Sequence, residues 1–263
     1  MITALREHWR EYLIEAAGLG LFMISANVFA AFLESTASPV HRALPDPVVR
    51  RIIMGVMMGS TAIAIIYSRL GQRSGAHLNP AVTLTFFCLG KVRGLDAILY
   101  ALSQAAGGIA GSMLAAVVLR DWVGDPLVNF VATVPGAAGV RAAFAAETAI
   151  AFGLMFTVLS VSNSARFSRF TGICAGVLVA LFITFEAPLS GMSMNPARTL
   201  AAAIPSGSWD AFWIYCVAPP FGMLAAAGAY VRMRGRRCVQ CAKLHHDNRE
   251  VCIFVCGWRH RRS

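Results

Sequence analysis

Charged residues are scarce in this chain: they make up 14% of 263 residues, whereas a soluble domain carries about a quarter. The shortage excludes an ordinary water-exposed domain and indicates lipid as the surrounding solvent. The net charge is +10, but the basic residues lie between long apolar runs and at the chain ends. That distribution argues against nucleic acid as a partner and is typical of the loops that flank membrane spans.

Two further absences narrow the class of protein. The Arg- and His-rich start and the apolar stretch after it have no clear cleavage site, so we expect a retained helix and not a signal peptide. The apolar runs contain no Ser/His/Asp set, no helix of metal ligands and no phosphate loop. This argues against a membrane enzyme.

The chain instead has six apolar runs, each near the length of about 20 residues that crosses a hydrocarbon core. They extend from Tyr12 to Leu33, Ile52 to Tyr67, Leu95 to Leu119, Ala142 to Val161, Phe170 to Ala187 and Trp209 to Val231. Gly107, Gly111 and Ala115 have the spacing that lets helices approach closely in lipid. We therefore predict an all-α membrane protein with six transmembrane helices.

Two shorter apolar stretches, Asn79 to Leu89 and Asn195 to Ile204, each begin with Asn-Pro. Asn caps a helix N-terminus and Pro suits its first turn. About ten residues at about 1.5 Å each reach about 15 Å, half of a core about 30 Å thick. We expect two re-entrant half-helices that enter from opposite sides and meet at the midplane.

The chain also repeats itself. Residues 74–84 match residues 190–200 at seven of eleven positions, and Glu15 and Glu147 lie near the start of the first span of each half. Three spans per half is an odd number, so the second half is inverted in the membrane. With both termini cytoplasmic, twelve basic residues flank the spans inside and five outside, which the positive-inside rule favours.

The paired Ser-Gly-x-x-x-Asn-Pro-Ala segments at residues 74–81 and 190–197, the second continuing to Arg198, resemble the aquaporin (major intrinsic protein) family. The resemblance covers about residues 10–231. It implies a homotetramer with one narrow pore per subunit, passing water and small neutral solutes and excluding protons and ions. We expect a channel domain over residues 1–231 (repeats about 10–119 and 142–231), a cytoplasmic tail over residues 232–263, and a place in the cell membrane.

The resemblance also assigns roles to residues. Asn79 and Asn195 would donate to the permeant, while Arg198 would line the outer constriction. His77 and the carbonyls of residues 76–78 and 192–194 would line the approaches. A charge at mid-bilayer costs about 2.5–3.5 kcal/mol, so Arg198 should face water, or as an alternative pair with Glu186. Glu15 and Glu147 would brace the re-entrant loops through backbone hydrogen bonds.

The filter positions decide the solute. Counting back from Asn195 places Ile183 and Met192 there, and the second span contributes Gly59, or Met58 if the stretch from Arg69 to Arg73 carries an insertion. Such a filter has few donors, and we expect water plus small uncharged solutes such as glycerol. Arg198 is nevertheless followed by Thr-Leu, not by the Asp typical of glycerol facilitators.

The tail is rich in metal-ligand residue types: Cys238, Cys241, His245, His246, Cys252 and Cys256. Their spacing allows a zinc site, but reduced thiols without a ligand, or a redox switch, are open alternatives. No other cofactor is expected. For the whole protein, a gradient-coupled secondary transporter and a channel gated by metal or redox state through the tail are the competing functions.

Overall fold

The computed structural model describes residues 2–246, 248 and 250–258, and all regular structure in these ranges is helical. We number the eight principal helices α1 Ile2–Glu34, α2 Pro47–Tyr67, α3 Pro80–Cys88, α4 Gly94–Leu119, α5 Gly139–Ser162, α6 Thr171–Phe185, α7 Pro196–Ser206 and α8 Phe212–Arg234. Short α-helical turns lie at Pro39–Ala43, Arg69–Ser74, Asp121–Gly124 and Ala187–Ser190. Short 3-10 turns lie at Asn129–Val131, Ser168–Phe170 and Arg236–Cys238.

The prediction of six spans and two half-helices is confirmed. Six helices are long and apolar enough to cross a membrane, counting α6 together with the 3-10 turn before it. α2 begins five residues earlier than the apolar run indicated, because Pro47 fits the first turn and the Asp46 side chain accepts from Val48 N at 2.7 Å. The half-helices are α3 and α7, and both begin at the Pro of Asn-Pro.

The inverted repeat governs how the helices pack. α1 lies against α4, α5 lies against α8 in the same way, and α2 and α6 lie against each other. α1 and α4 touch backbone to backbone, because any side chain on Gly107 or Gly111 would clash with the carbonyl groups of Ala16 or Gly20. Small residues thus provide the close approach that helices in lipid need.

Contacts between helix ends define two faces of the bundle. The starts of α1 and α4 meet at His8 and Asp96, and the end of α2 meets the segment before α6, where Tyr67 Oη donates to the Arg169 carbonyl. The chain after α8 lies on this same side, where Gln240 N donates to Asn163 Oδ1 at 2.6 Å. We call this side the tail face and the other the opposite face.

The link between the two repeats, residues 120–138, covers the opposite face. Asp125 anchors it by accepting from Thr36 N at 2.8 Å and from Thr36 Oγ1 at 2.7 Å. These hydrogen bonds lower the pKa of Asp125 below its ordinary value, and the one from the Thr36 hydroxyl has the largest effect. The carboxylate therefore stays ionised at neutral pH and holds the link against the end of α1.

Candidate pore

The two half-helices meet N-terminus to N-terminus. Asn79 Oδ1 accepts from Ala81 N at 2.8 Å, and Asn195 Oδ1 accepts from Ala197 N at 3.0 Å. Each side-chain amide then crosses to the other loop. Asn79 Nδ2 donates to the Met194 carbonyl at 2.7 Å, and Asn195 Nδ2 donates to the Leu78 carbonyl at 2.7 Å. One pair of residues thus caps both helices and ties the repeats together.

This junction is electropositive. Each helix N-terminus contributes about half a positive charge, and both Asn residues line the same cavity. An Asn amide carries two hydrogens, and the described contacts between the loops use one hydrogen of each. The geometry therefore leaves donor capacity at the point where the two dipoles meet.

Glu15, buried in α1, holds the first re-entrant loop. Its Oε1 accepts from Ser74 Oγ at 2.7 Å and from His77 N at 3.1 Å, and its Oε2 accepts from Leu78 N at 2.7 Å. Gln104 of α4 donates to the same Oε2 at 2.7 Å. The carboxylate thus pairs backbone donors that a helix or sheet would otherwise satisfy.

Glu147 of α5 plays the matching part in the second repeat. Its Oε1 accepts from Ser190 Oγ and Ser193 N, both at 2.7 Å, and its Oε2 accepts from Met194 N at 2.7 Å. Glu15 and Glu147 thus each accept hydrogen bonds from one re-entrant loop.

The loops that these glutamates hold are strained in matching places. Ala76 and Leu78 have φ of 54° and 51°, and Met192 and Met194 have φ of 50° and 53°. Residues other than Gly rarely adopt this left-handed region, and they keep it only when surrounding contacts enforce it. Because the strained residues recur at equivalent positions, the loop shape belongs to both repeats.

Sequence reasoning missed two tyrosines that complete the braces. Tyr100 Oη donates to the Ser74 carbonyl at 2.7 Å, and Tyr215 Oη donates to the Ser190 carbonyl at 2.6 Å. Both side chains are fully buried. Their equivalence in α4 and α8 is visible only once the repeats are superposed along the chain, since the surrounding sequence differs.

A cavity of about 310 Å³ runs between the repeats. Near the opposite face its lining includes Glu34, Arg51 and Leu127, and at the tail face it includes Leu244. Asn79 and Asn195 lie between these ends. The cavity therefore has the course of a path across the bundle.

The predicted filter residues differ in whether they line the cavity. Met58, Ile183, Met192 and Arg198 all line the cavity. Gly59 does not: a Cβ on it would lie 2.5 Å from the Gly176 carbonyl oxygen, so it is a packing residue between α2 and α6. Of the two alternatives for the second span, the structure selects Met58.

Arg198 follows the cap of α7 and faces the cavity. The ion pairs of the described ranges do not include Arg198, so the alternative pairing with Glu186 is not formed. Its Nη1 has no hydrogen-bond partner among the described residues. Because Arg198 lines the cavity, its positive charge acts on whatever occupies the cavity.

His77 lines the cavity, as expected, but its ring contacts the tail. Nδ1 lies 3.0 Å from Thr83 Oγ1, and Nε2 lies 2.8 Å from the Ala242 carbonyl oxygen. The ring stacks on Phe254 with a centroid distance of 5.2 Å and an interplanar angle of 11°. Sequence reasoning placed His77 on an open approach, and the tail now occupies that place.

The tail segment, by which we mean the described residues 235–246, 248 and 250–258, is seated in the tail-face mouth of the cavity. Leu244 forms the inner end of the cavity and donates its backbone N–H to the Gly75 carbonyl at 3.2 Å. Val255 N donates to the Lys91 carbonyl at 2.9 Å. Val239 and Ala242 are fully buried. The segment is thus part of the folded unit and covers the entrance.

Four of the six predicted metal-ligand residues come together, and two do not. Cys241, His246, Cys252 and Cys256 form one group. Cys238 lies outside it, because its Sγ donates to the Arg234 carbonyl at the end of α8. His245 also lies outside it, and its ring packs edge-on against Tyr67 at 4.8 Å. The wider set of six therefore narrows to a Cys₃His group.

Together, six spans, an inverted repeat and a polar junction inside one cavity define a polytopic membrane protein of pore-like architecture. The sequence model of the major intrinsic protein family matches residues 3–230, and the chain belongs to that family.

Curated relatives agree with this assignment. Aquaporin NIP1-3 of Oryza sativa subsp. japonica is 38% identical over 68% of this chain and 61% of its own length. Aquaporin NIP1-1 of Arabidopsis thaliana is 35% identical over 75% of this chain and 68% of its own length. The chain therefore spans about two thirds of the length of these relatives. The aquaglyceroporin from Plasmodium falciparum shares the fold, with a TM-score of 0.68 at 20% identity over 85% of this chain and 96% of that one.

Proposed function

We propose that this protein is a passive channel for water and small uncharged solutes such as glycerol, and that it excludes protons and ions. The observation that carries the proposal is the pair of Asn amides at the junction of two helix N-termini inside one cavity. Passive permeation involves no chemical step, so we propose a channel and not an enzyme. The pore itself needs no cofactor.

Charge exclusion follows from the same junction. The two helix ends and Arg198 are all positive and face the cavity. A cation about 10 Å from one full charge is opposed by about 1.7 kcal/mol at an effective dielectric constant of 20. Loss of hydration in a narrow, mostly apolar path adds to this barrier. A water at the Asn pair accepts hydrogen bonds from both sides, which interrupts proton transfer along a chain of waters.

The lining supports permeants beyond water. Met58, Ile183 and Met192 offer apolar contact, while Arg198 offers donors. A polyol has both an apolar carbon backbone and hydroxyl groups, so it suits such a mixed wall. The relatives named aquaporins support water as one permeant.

A swelling panel tests the proposal. Proteoliposomes with the full chain, or with a chain that ends at Arg237 and keeps all eight helices, would be challenged with water, glycerol and urea gradients in a stopped-flow instrument. We expect permeation with a low activation energy and no dependence on ion gradients. Saturation and coupling to a gradient would favour the secondary transporter, and impermeability of both chains would overturn the proposal.

We predict that Ile183→His lowers glycerol uptake severalfold and leaves water permeation largely unchanged. An imidazole replaces apolar wall that contacts the carbon backbone of glycerol, and its ring nitrogens bind water instead. The control is Ile183→Leu, which keeps the volume and the apolar character. The comparison is made in chains that end at Arg237, where the tail cannot cover the mouth. Glycerol uptake that is absent from this chain without the substitution, or equal in the Ile183→His and Ile183→Leu variants, would contradict an apolar filter.

We further propose that both termini face the cytoplasm, that the protein resides in the cell membrane, and that four copies assemble. The excess of basic residues beside the tail-face ends of the spans supports the orientation. Protease access to the tail in sealed vesicles tests the orientation, and native mass spectrometry tests the tetramer. Cleavage of the tail from the outside of right-side-out vesicles would reverse the proposed topology.

A further inference from the structure

The tail segment contains a Cys₃His group. The ligand atoms of Cys241, His246, Cys252 and Cys256 all lie within 4.8 Å of one another. The His246 Nε2 to Cys256 Sγ distance is 3.0 Å, and the Cys241 Sγ to Cys252 Sγ distance is 3.5 Å. Ligand atoms at about 2.0–2.3 Å from a tetrahedral zinc lie about 3.5–3.8 Å apart. The group therefore has the ligand types, and nearly the spacing, of a closed zinc site.

A buried lysine beside the group balances the charge that a zinc site would carry. Three thiolates and one neutral imidazole around Zn²⁺ leave about one negative charge. Lys243 is only 2% exposed, and its Nζ donates to the Glu250 carbonyl at 3.0 Å. Lys243 lies two residues after Cys241, and Glu250, whose carbonyl it contacts, lies two residues before Cys252. A buried ammonium is costly without a nearby negative charge, and a zinc-thiolate group supplies one.

The ligands hold the parts of the tail that close the mouth. Ala242 and Leu244, which contact His77 and Gly75, lie one and three residues after Cys241. Phe254 and Val255, which contact His77 and Lys91, follow Cys252. One ion bound to both cysteines therefore cross-links the two stretches that fill the entrance.

The tail segment also has little else to fix its shape. Its only regular structure among the described residues is the 3-10 turn Arg236–Cys238. Ordering each residue of such a chain costs about 1–2 kcal/mol of backbone entropy. Small structural units that lack helices and sheets commonly depend on a metal or a covalent cross-link.

We propose that Cys241, His246, Cys252 and Cys256 bind one zinc ion, and that this ion holds the tail segment as a plug in the tail-face mouth of the pore. Binding replaces the three thiol protons, which pass to solvent, and changes no oxidation state. Removal of the ion frees the segment and opens the mouth. The effect on flux rests on the proposed permeation function, whereas the metal site and the seating of the plug do not.

Metal analysis tests the site. The full chain, purified with reductant and added zinc, should hold about one zinc per chain, as a closed four-ligand site does. Cys252→Ser should lose this zinc. Cys238→Ser is the matched control and should keep it, because its sulfur lies in the same tail but outside the group. A chain that holds no zinc would overturn the site. A disulfide between Cys241 and Cys252, which reductant opens and chelator does not, would also overturn it.

Hydrogen exchange tests whether zinc seats the plug. The amides of Leu244 and Val255 donate to pore-mouth carbonyls, so peptides over residues 239–246 and 250–258 should exchange slowly. A membrane-permeant zinc chelator should speed their exchange and leave peptides of α1 unchanged. If the chelator leaves the exchange rates of these peptides unchanged, zinc does not hold the plug. This measurement requires no permeation.

Flux tests closure. The chelator should raise the water permeability of the full chain severalfold, and Cys252→Ser should be permeable without it. The chain that ends at Arg237 should be permeable and insensitive to chelator, and Cys238→Ser should behave as the unsubstituted chain. If the full chain is permeable and chelator does not change its permeability, the proposal that the plug closes the mouth is overturned. If every chain is impermeable, the proposed channel function fails, and hydrogen exchange still decides the plug.

Discussion

Replacing Glu147 by Ala is expected to destroy the folded pore. The carboxylate pairs three buried donors: Ser190 Oγ, Ser193 N and Met194 N. Each buried donor left unpaired costs about 1–3 kcal/mol, so the loss is on the order of 3–9 kcal/mol. That range approaches the whole stability of about 5–15 kcal/mol that a typical domain has. Thermal unfolding in detergent should show a large fall in midpoint, and swelling assays on chains that end at Arg237 should show no flux.

A graded series separates the brace from a general loss of a buried carboxylate. Glu147→Gln keeps an oxygen for Ser190 and Ser193 but turns an amide toward Met194 N, so its loss of stability should be intermediate. Glu186→Gln is the matched control in the same repeat. Glu186 is also buried, but neither of its oxygens has a hydrogen-bond partner among the described residues. Equal midpoints for Glu147→Ala and Glu186→Gln would contradict the brace.

The brace could be expected from the sequence because the family resemblance, which the repeated segments carry, implies it. Two Asn-Pro segments in matching context, each too short to span, determine where the half-helices begin. A carboxylate in an apolar run needs partners, and the exposed backbone of a re-entrant loop offers them. Local chemistry and the odd number of spans thus specify the path of the chain through the membrane.

The register of the second span could not be predicted in the same way. Met58 and Gly59 are neighbours, and a helix rotates by about 100° per residue, so one extra residue in the following turn changes which of them faces the cavity. The structure decides through packing: Gly59 is required at the backbone of α6, which leaves Met58 for the cavity. Counting residues along the sequence gives no information about this contact between α2 and α6.

The seating of the tail was also beyond the sequence. The Cys and His residues predicted a metal group, but their spacing alone admitted six ligands. Two contacts leave four of them. The Cys238 Sγ donates to the Arg234 carbonyl at the end of α8, and the His245 ring packs against Tyr67, which is distant in the sequence. The stacking of Phe254 on His77 joins residues 177 positions apart, at an aromatic pair that no local pattern marks. A local sequence pattern contains no information about long-range packing of this kind.

Arg198→Ala is expected to let cations and protons pass while water still permeates. The side chain faces the cavity with an unpaired Nη1, and its backbone N–H, which helps Asn195 cap α7, survives the substitution. Removing one charge about 10 Å from a passing cation lowers its barrier by about 1.7 kcal/mol at an effective dielectric constant of 20. A rate rises about tenfold for each 1.4 kcal/mol. Vesicles loaded with a pH-sensitive dye should therefore show proton or ammonium leak increased by about tenfold or more.

Arg198→Lys separates charge from shape. Lys keeps the positive charge but loses the planar fork of donors, so an electrostatic barrier predicts little leak in this variant. Equal leak in the Ala and Lys variants would instead show that the size of the guanidinium group, and not its charge, forms the barrier. Absence of leak in both would assign exclusion to dehydration and to the helix ends at Asn79 and Asn195, whose fields remain in either variant. The comparison requires an open mouth, so it is made with chelator present and in chains that end at Arg237, where the tail cannot mask the filter.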